Sequence, residues 1–257
     1  MKSKTIVFVT GAFVHHSGWD EWKQYFEAKG YTTHNPPWPA KDGATASVVR
    51  SRHPDPAIAA LTLTQIVEGY ADFIRSLPEK PIIIGHSFGG FVTQKLIAHG
   101  LGEAGVLIHS VPPLGVAPLE PDFYKSTWGP LGFFTDINTT FLMSFPQWQY
   151  AFVNGMPLET QKESYEASVI PESKRMARGA LTLSAYVPFR KAHVPLLFIA
   201  GNKDQIIPAS LNKRNYRSYS DTASVTEYKE FSRNHYTVNA PGWEEVAGYV
   251  SDWLAVR

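Results

Sequence analysis

The run Pro81-Ile82-Ile83-Ile84 leads directly into Gly85-His86-Ser87-Phe88-Gly89-Gly90, and an apolar-periodic segment follows to about His99. A buried strand that reverses into a helix within so few residues needs positions without a Cβ on both sides of the turn. Gly85 and Gly89 stand two residues before and two after Ser87 and meet that need. A serine hydroxyl is a weak nucleophile, and a catalytic one has to project clear of its own backbone towards a base, which a sharp strand-to-helix turn achieves. Ser87 is therefore the expected nucleophile.

Other short apolar runs fall at 6–9, 31–35, 106–108, 196–200 and 225–231. Between them, Trp19, Trp22, Tyr25, Phe26 and Lys29 keep helical spacing up to Gly30. Leu63, Ile66, Val67, Tyr70, Ile74 and Leu77 form a longer stripe ending before Pro78, and Val246, Val250 and Leu254 mark a last helix over about 243–254. This alternation predicts an α/β fold with a mostly parallel central sheet flanked by helices. At 257 residues one large domain accommodates it. Two stretches break the alternation. Residues 35–56 hold five prolines and read as a surface loop at the mouth of a cleft. Residues 112–190 form a long insertion that needs structure of its own, which divides the chain into core (1–111), helical cap (112–190) and core (191–257). Four of its aromatic residues, Trp128, Phe134, Phe141 and Trp148, are expected to line an apolar substrate pocket together with Phe13 and His16 from the first loop. The stretch Pro171-Glu172-Ser173-Lys174-Arg175 reads as a solvated helix start with no chemical role.

Composition removes several function classes. Lys and Arg total 24 against 23 Asp and Glu, and no basic run is long enough to track a phosphate backbone, so nucleic acid is not an expected partner. With no cysteine there is no disulfide, thiolate metal site or cysteine nucleophile. No histidine pair has H-E-x-x-H spacing and the glycines around Ser87 do not form G-x-G-x-x-G, so neither a metal nor an organic cofactor is expected. The opening apolar run stops at Thr10-Gly11, too short for a signal-peptide core, and no stretch approaches membrane-spanning length. A cytoplasmic location without membrane contact is the resulting expectation.

In open parallel sheets, ligands bind beyond the carboxyl ends of the strands. Ser87, Asp204 and His235 each follow one of the apolar runs and should share one rim. The expected roles are nucleophile for Ser87, general base and then acid for His235, and orienting carboxylate for Asp204. Rivals exist for two of them. His86 adjoins Ser87 and should point away from its hydroxyl as a packed residue, His15 and His16 lie in a mouth loop, and His109 ends a strand but precedes the insertion. Glu120, Asp122 and Asp136 compete with Asp204. Donors for a tetrahedral oxyanion are expected from the backbone N–H of Phe88 and, in Thr10-Gly11-Ala12-Phe13, that of Ala12.

From residue 6 through the last helix the chain resembles the α/β-hydrolase superfamily, whose triad runs in the same Ser-Asp-His order. The likeness is to serine esterases of the compact plant methylesterase and hydroxynitrile lyase type. Thr10-Gly11-Ala12 with His16-Ser17-Gly18-Trp19 is similar to that group's His-Gly-Ala and His-Gly-Gly-Trp segment, and the residues from Gly85 to Gly90 are similar to Gly-His-Ser-Leu-Gly-Gly. There are departures. Thr10 replaces a histidine, the first loop is two residues longer, and Tyr236 stands where the lyases carry lysine, which disfavours cyanohydrin cleavage. Dehalogenase and epoxide hydrolase relatives have aspartate in place of Ser87, which argues against both. The resemblance implies a cofactor-free serine hydrolase acting through an acyl-enzyme on the ester of an apolar or aromatic small molecule, with lactone, thioester and amide substrates chemically equivalent. The alternatives are a non-hydrolytic use of the triad, as a lyase, C–C bond hydrolase or acyltransferase, and a ligand-binding protein without turnover.

Overall fold

The computed structural model describes residues 3–257. Its strands are β1 (Thr5–Val9), β2 (Thr32–His34), β3 (Ile82–His86), β4 (Ala104–Ile108), β5 (Thr140–Phe141), β6 (Glu172–Ser173), β7 (Leu196–Gly201) and β8 (Thr226–Phe231). Six of them form one sheet in the order β2-β1-β3-β4-β7-β8, with every neighbouring pair parallel. The four inner strands are buried along their whole length, because helices cover both faces, and this is why they read as unbroken apolar runs. β8 lies at the edge with five of its six residues at least partly exposed, and its sequence Thr-Glu-Tyr-Lys-Glu-Phe is correspondingly polar.

One face of the sheet packs against the helices Leu63–Arg75, Phe88–Ala98 and Ala209–Ser218, and the other against Asp20–Glu27 and Glu244–Ala255. The first of these starts where Thr62 and Gln65 cap each other's backbone amides, a local signal that stops fraying. Among the described residues no helix is long and apolar enough to cross a membrane.

Strand register builds the working edge. Val9 pairs with Gly85, His86 with Ile108, Ile108 with Ile199, and Gly201 with Phe231. The carboxyl ends of β1, β3, β4, β7 and β8 are therefore level, so the loops carrying Ala12, Ser87, His109, Asp204 and His235 leave one rim. The chain order of the strands reverses between β1 and β3, which opens a crevice there.

Two local expectations are corrected. Residues 35–56 are not simply a surface loop, since the helix Ala46–Arg50 lies within them, Trp38 and Lys41 are buried, and Pro56 opens the helix Pro56–Ala60 under an Asp55 cap. A proline at the first helical turn is a start signal rather than a break. The stretch 171–175 does begin a helix, Lys174–Gly179 capped by Ser173, yet Glu172, Ser173 and Lys174 are buried rather than solvated. The Ser173 hydroxyl donates to the Leu61 carbonyl at 2.6 Å, which ties the helix start to the body.

Within residues 112–190 the structure forms the helices Pro121–Leu131, Phe145–Ala151, Leu158–Ser168 and Lys174–Gly179, plus the antiparallel β5–β6 ribbon. Trp148 and Phe152 stack at 4.2 Å between ring centroids, both fully buried, and Trp148 Nε1 donates to Ser164 Oγ at 2.9 Å.

Candidate active site

Ser87 has φ 58° and ψ −122°, a left-handed backbone that a serine adopts only under constraint. Strain of this kind costs on the order of 1–3 kcal/mol and has to be held by its surroundings. Here the Ser87 N–H donates to the Ile108 carbonyl at 2.9 Å, and the Ser87 carbonyl accepts from Gly90 at 3.0 Å and Val111 at 3.1 Å. The flanking glycines are obligatory. A Cβ on Gly85 would lie 2.2 Å from the Gly89 carbonyl oxygen, and one on Gly89 would lie 2.0 Å from that of Val9.

Asp204, in the loop after β7, is buried and fully engaged. Its Oδ1 accepts from the backbone N–H of Ile206 at 2.9 Å and of Ile207 at 2.8 Å, and its Oδ2 lies 2.6 Å from His235 Nδ1. The same Oδ2 is 2.7 Å from Nδ1 of His109. Burial opposes ionisation of Asp204, but the two imidazoles outweigh it and hold the carboxyl well below the usual carboxylate range. His235 is wholly buried, and desolvation lowers its pKa below the ordinary value, with Asp204 pulling upward and His109 downward. Because Nδ1 donates to the carboxylate, Nε2 carries the lone pair; it is buried and has no hydrogen-bond partner, Ser87 Oγ included. Catalytic hydrogen bonds of this type commonly close only when substrate is seated.

Nε2 of His86 lies 2.8 Å from the His235 carbonyl oxygen, which fixes the loop bearing the candidate base. Burial keeps the His86 pKa well below the ordinary value, with His235 and His109 adding to the effect. His86, His109 and His235 form the one cluster among the described residues that could ligate a metal, their candidate nitrogens lying within 4.8 Å of one another. Each ring already commits one nitrogen to a protein acceptor. The acidic rivals are engaged elsewhere: Glu120 pairs with Arg214, Asp122 accepts from the Tyr150 hydroxyl at 2.6 Å, and Asp136 accepts from Asn138.

The loop after β1 closes against Ser87: a Cβ on Gly11 would stand 3.0 Å from Ser87 Cβ. Phe88 N–H is among the opening amides of its helix, which lack an intrahelical acceptor, and Ala12 N–H has no acceptor among the described residues. Phe13 takes φ 69° and its N–H donates to Glu172 Oε2 at 3.1 Å, the same oxygen that accepts from Lys41 Nζ at 2.5 Å. Trp38 Nε1 donates to the Thr10 carbonyl at 3.1 Å, and Lys41 Nζ sits 4.0 Å over the Trp38 ring. Tyr70 accepts from the Thr10 N–H at 3.2 Å, and its burial pushes the phenol pKa up to about 12.

Ser87 opens into a cavity of about 100 Å³ lined by Phe13, Phe88, Phe123, Met176, Leu181 and Ile206 among others. Of the residues expected to line a substrate pocket, Phe13 lines this cavity. Phe141 meets Phe13 edge-on at 6.0 Å, Trp148 belongs to the packed interior, and the His16 ring lies tilted against that of His15 with centroids 4.2 Å apart. Trp128 (58% exposed) and Phe134 (89% exposed) stand on the outer surface.

A family model described as "Alpha/beta hydrolase family" matches residues 6–243. The chain belongs to that family. Solved structures with the same fold include a methylesterase from Arabidopsis, 16% identical, covering 98% of this chain and 99% of its own with a TM-score of 0.67. A pyrethroid hydrolase from Sphingobium faniae is 17% identical over 97% and 96% of the two chains, also with a TM-score of 0.67. An extracellular α/β-hydrolase from a Paenibacillus species is 19% identical over 96% and 98%, again at 0.67. No curated protein sequence matches the chain.

In this α/β-hydrolase, sequence reasoning missed Glu172, Lys41 and Trp38 as supports of the first loop, and dismissed His109. Strand periodicity did point to the loop after β4, but chain order favoured His235 over His109. Nothing local in the sequence connects position 41 with position 172, a pairing that exists only once residues 35–56 and the insertion are folded onto the rim.

Proposed function

We propose that this protein is a carboxylic-ester hydrolase working through Ser87, His235 and Asp204. Ser87 Oγ attacks the ester carbonyl while His235 Nε2 takes its proton, and the N–H groups of Ala12 and Phe88 receive the oxyanion. His235 then protonates the leaving alkoxide, and a water deprotonated by the same imidazole releases the acid from the acyl-enzyme. The observation that carries this reading is the 2.6 Å bond from His235 to a buried, ionised Asp204, on the same rim as a strained serine that lines an apolar cavity. The esterase and hydrolase names of the structural neighbours agree with it.

The substrate class follows from the lining. Apart from Ser87, the only side chain with a polar group among the cavity-lining residues is that of Thr127, so a charged acyl or alcohol group would lose its hydration without a partner. The cavity shares Val111, Phe123, Ala180 and Leu181 with a second apolar groove along Pro113, Leu114 and Pro118, which gives an elongated alkyl or aryl ester room to extend. Screening esters of varied acyl and alcohol length, with labelling by a serine-reactive phosphonate, tests the reading. Turnover of apolar esters and a label on Ser87 are expected. Equal labelling of Ser87→Ala, or a preference for short charged esters, would overturn it. Hydrolysis in ¹⁸O-water should place the heavy oxygen in the acid, whereas a lyase or transferase would leave it out.

A further inference from the structure

We propose that His109 is a positioning residue for His235: it donates to the same Asp204 oxygen, locks that carboxylate in place and sets the basicity of the imidazole that activates Ser87. The inference rests on the triad reading above and adds a fourth member to it. Two Nδ1 atoms, at 2.6 and 2.7 Å, converge on Oδ2 while two backbone amides hold Oδ1, so the Asp204 carboxylate accepts four hydrogen bonds and cannot rotate.

A packing role alone does not account for His109. The residue is fully buried and takes φ 48°, a sparsely populated left-handed conformation for a non-glycine residue, held by its N–H donating to the Ile199 carbonyl at 2.7 Å. Its Nε2 is buried without a partner among the described residues, a desolvation cost that an apolar side chain of similar size would avoid. The neighbouring strand leaves the ring its space: a Cβ on Gly201 would lie 2.4 Å from His109 Cε1. Strain and an orphaned acceptor are both tolerated to keep one N–H on Asp204.

The electrostatic consequence has a sign. The groups that face the His235 ring are Asp204, His109 and His86, whose rings lie 5.8 and 4.7 Å away between centroids, and the edge-on Phe152. A carboxylate whose charge is already stabilised by a second donor attracts the His235 imidazolium less, and burial together with the electrostatic influence of His109 holds the His235 pKa below its ordinary value against the pull of Asp204. His235 is thereby kept neutral, and able to act as a base, to lower pH than Asp204 alone would permit.

The test compares His109→Leu, which removes the donor, with His109→Asn, whose amide N–H can stand near the former Nδ1 and which tolerates positive φ. In the pH profile of kcat/KM, His109→Leu should move the acidic limb upward by about one pH unit, and His109→Asn should return it towards the parent position. An unmoved limb in folded His109→Leu, or equal displacement by both variants, would overturn the proposal. Should His109→Leu fail to fold, low-field proton NMR of the parent protein decides: two histidine Nδ1–H resonances support the shared carboxylate and a single one refutes it. Ser87→Ala keeps the two questions apart, because retained turnover there sinks the triad itself whatever His109 does.

Discussion

The rim of the sheet and the insertion between β4 and β7 are both rich in buried side chains, yet they obey different rules. On the rim, position follows from strand register: five level strand ends deliver Ala12, Ser87, His109, Asp204 and His235 to one edge. In the insertion, short helices pack at angles that no periodicity announces, and similar aromatic residues meet opposite fates. Trp148 is sealed in the interior while Trp128, twenty residues earlier, is more than half exposed. Chemistry can thus be placed on the rim by topology, whereas the pocket's shape depends on which insertion side chains happen to turn inward.

The sharpest way to break this contrast is Ser87→Ala. Losing the nucleophile should lower ester turnover by about 10⁴-fold or more with an unchanged far-UV spectrum, and a nearly active variant would remove the rim's chemical role. Trp148→Ala tests the interior half of the insertion. It should cost about 3–5 kcal/mol in denaturant unfolding, from the lost ring, the stacking on Phe152 and the cavity left behind; a loss below about 1 kcal/mol would mean that this region adds little to folding. Glu172 joins the two regions. Glu172→Leu strands a buried Lys41 and frees the Phe13 amide, so both stability and kcat should fall, and Glu172→Leu with Lys41→Met should recover stability more than kcat. Equal recovery of both would make the pair purely structural.

Two smaller effects follow. His86 and His235 are buried with lowered pKa values, so the unfolded chain binds more protons than the folded one below the ordinary histidine pKa of about 6.5. Stability should be fully present above that pH and decline as pH falls through and below it, and kcat/KM should rise with pH on a limb lying below about 6.5. Unfolding free energies that are flat from neutral pH to about 5 would contradict the burial of these rings. The smallest effect is expected from Trp128→Ser, which should leave stability within about 0.5 kcal/mol and ester kinetics unchanged. A marked rise in KM would return Trp128 to the substrate path.

Much of the frame was legible because burial on both faces imposes a simple pattern. Each inner strand had to be an apolar run, and the helix Leu63–Arg75 carried its stripe and its stop before Pro78 in plain sight. The elbow was equally readable, since Gly85 and Gly89 are demanded by contacts within a few residues of Ser87 and with the adjoining β1. The edge strand β8 and the short β2 were less distinct for the same physical reason, as partial exposure relaxes the apolar requirement. Residues 35–56 misled because prolines that start a helix and prolines that break one look alike without their partners.

Periodicity and glycine placement, both short-range consequences of backbone geometry and desolvation, were enough to define the alternating layers, the serine-bearing turn and the loops that share an edge. Folding in three dimensions alone decided that two histidines converge on one aspartate oxygen, that Glu172 reaches across to Lys41 and the Phe13 amide, and that Phe123 rather than Trp128 faces the Ser87 cavity. Those choices depend on hydrogen bonds and packing between segments far apart in the chain, where the energy of a side chain is set by its neighbours and not by its own type.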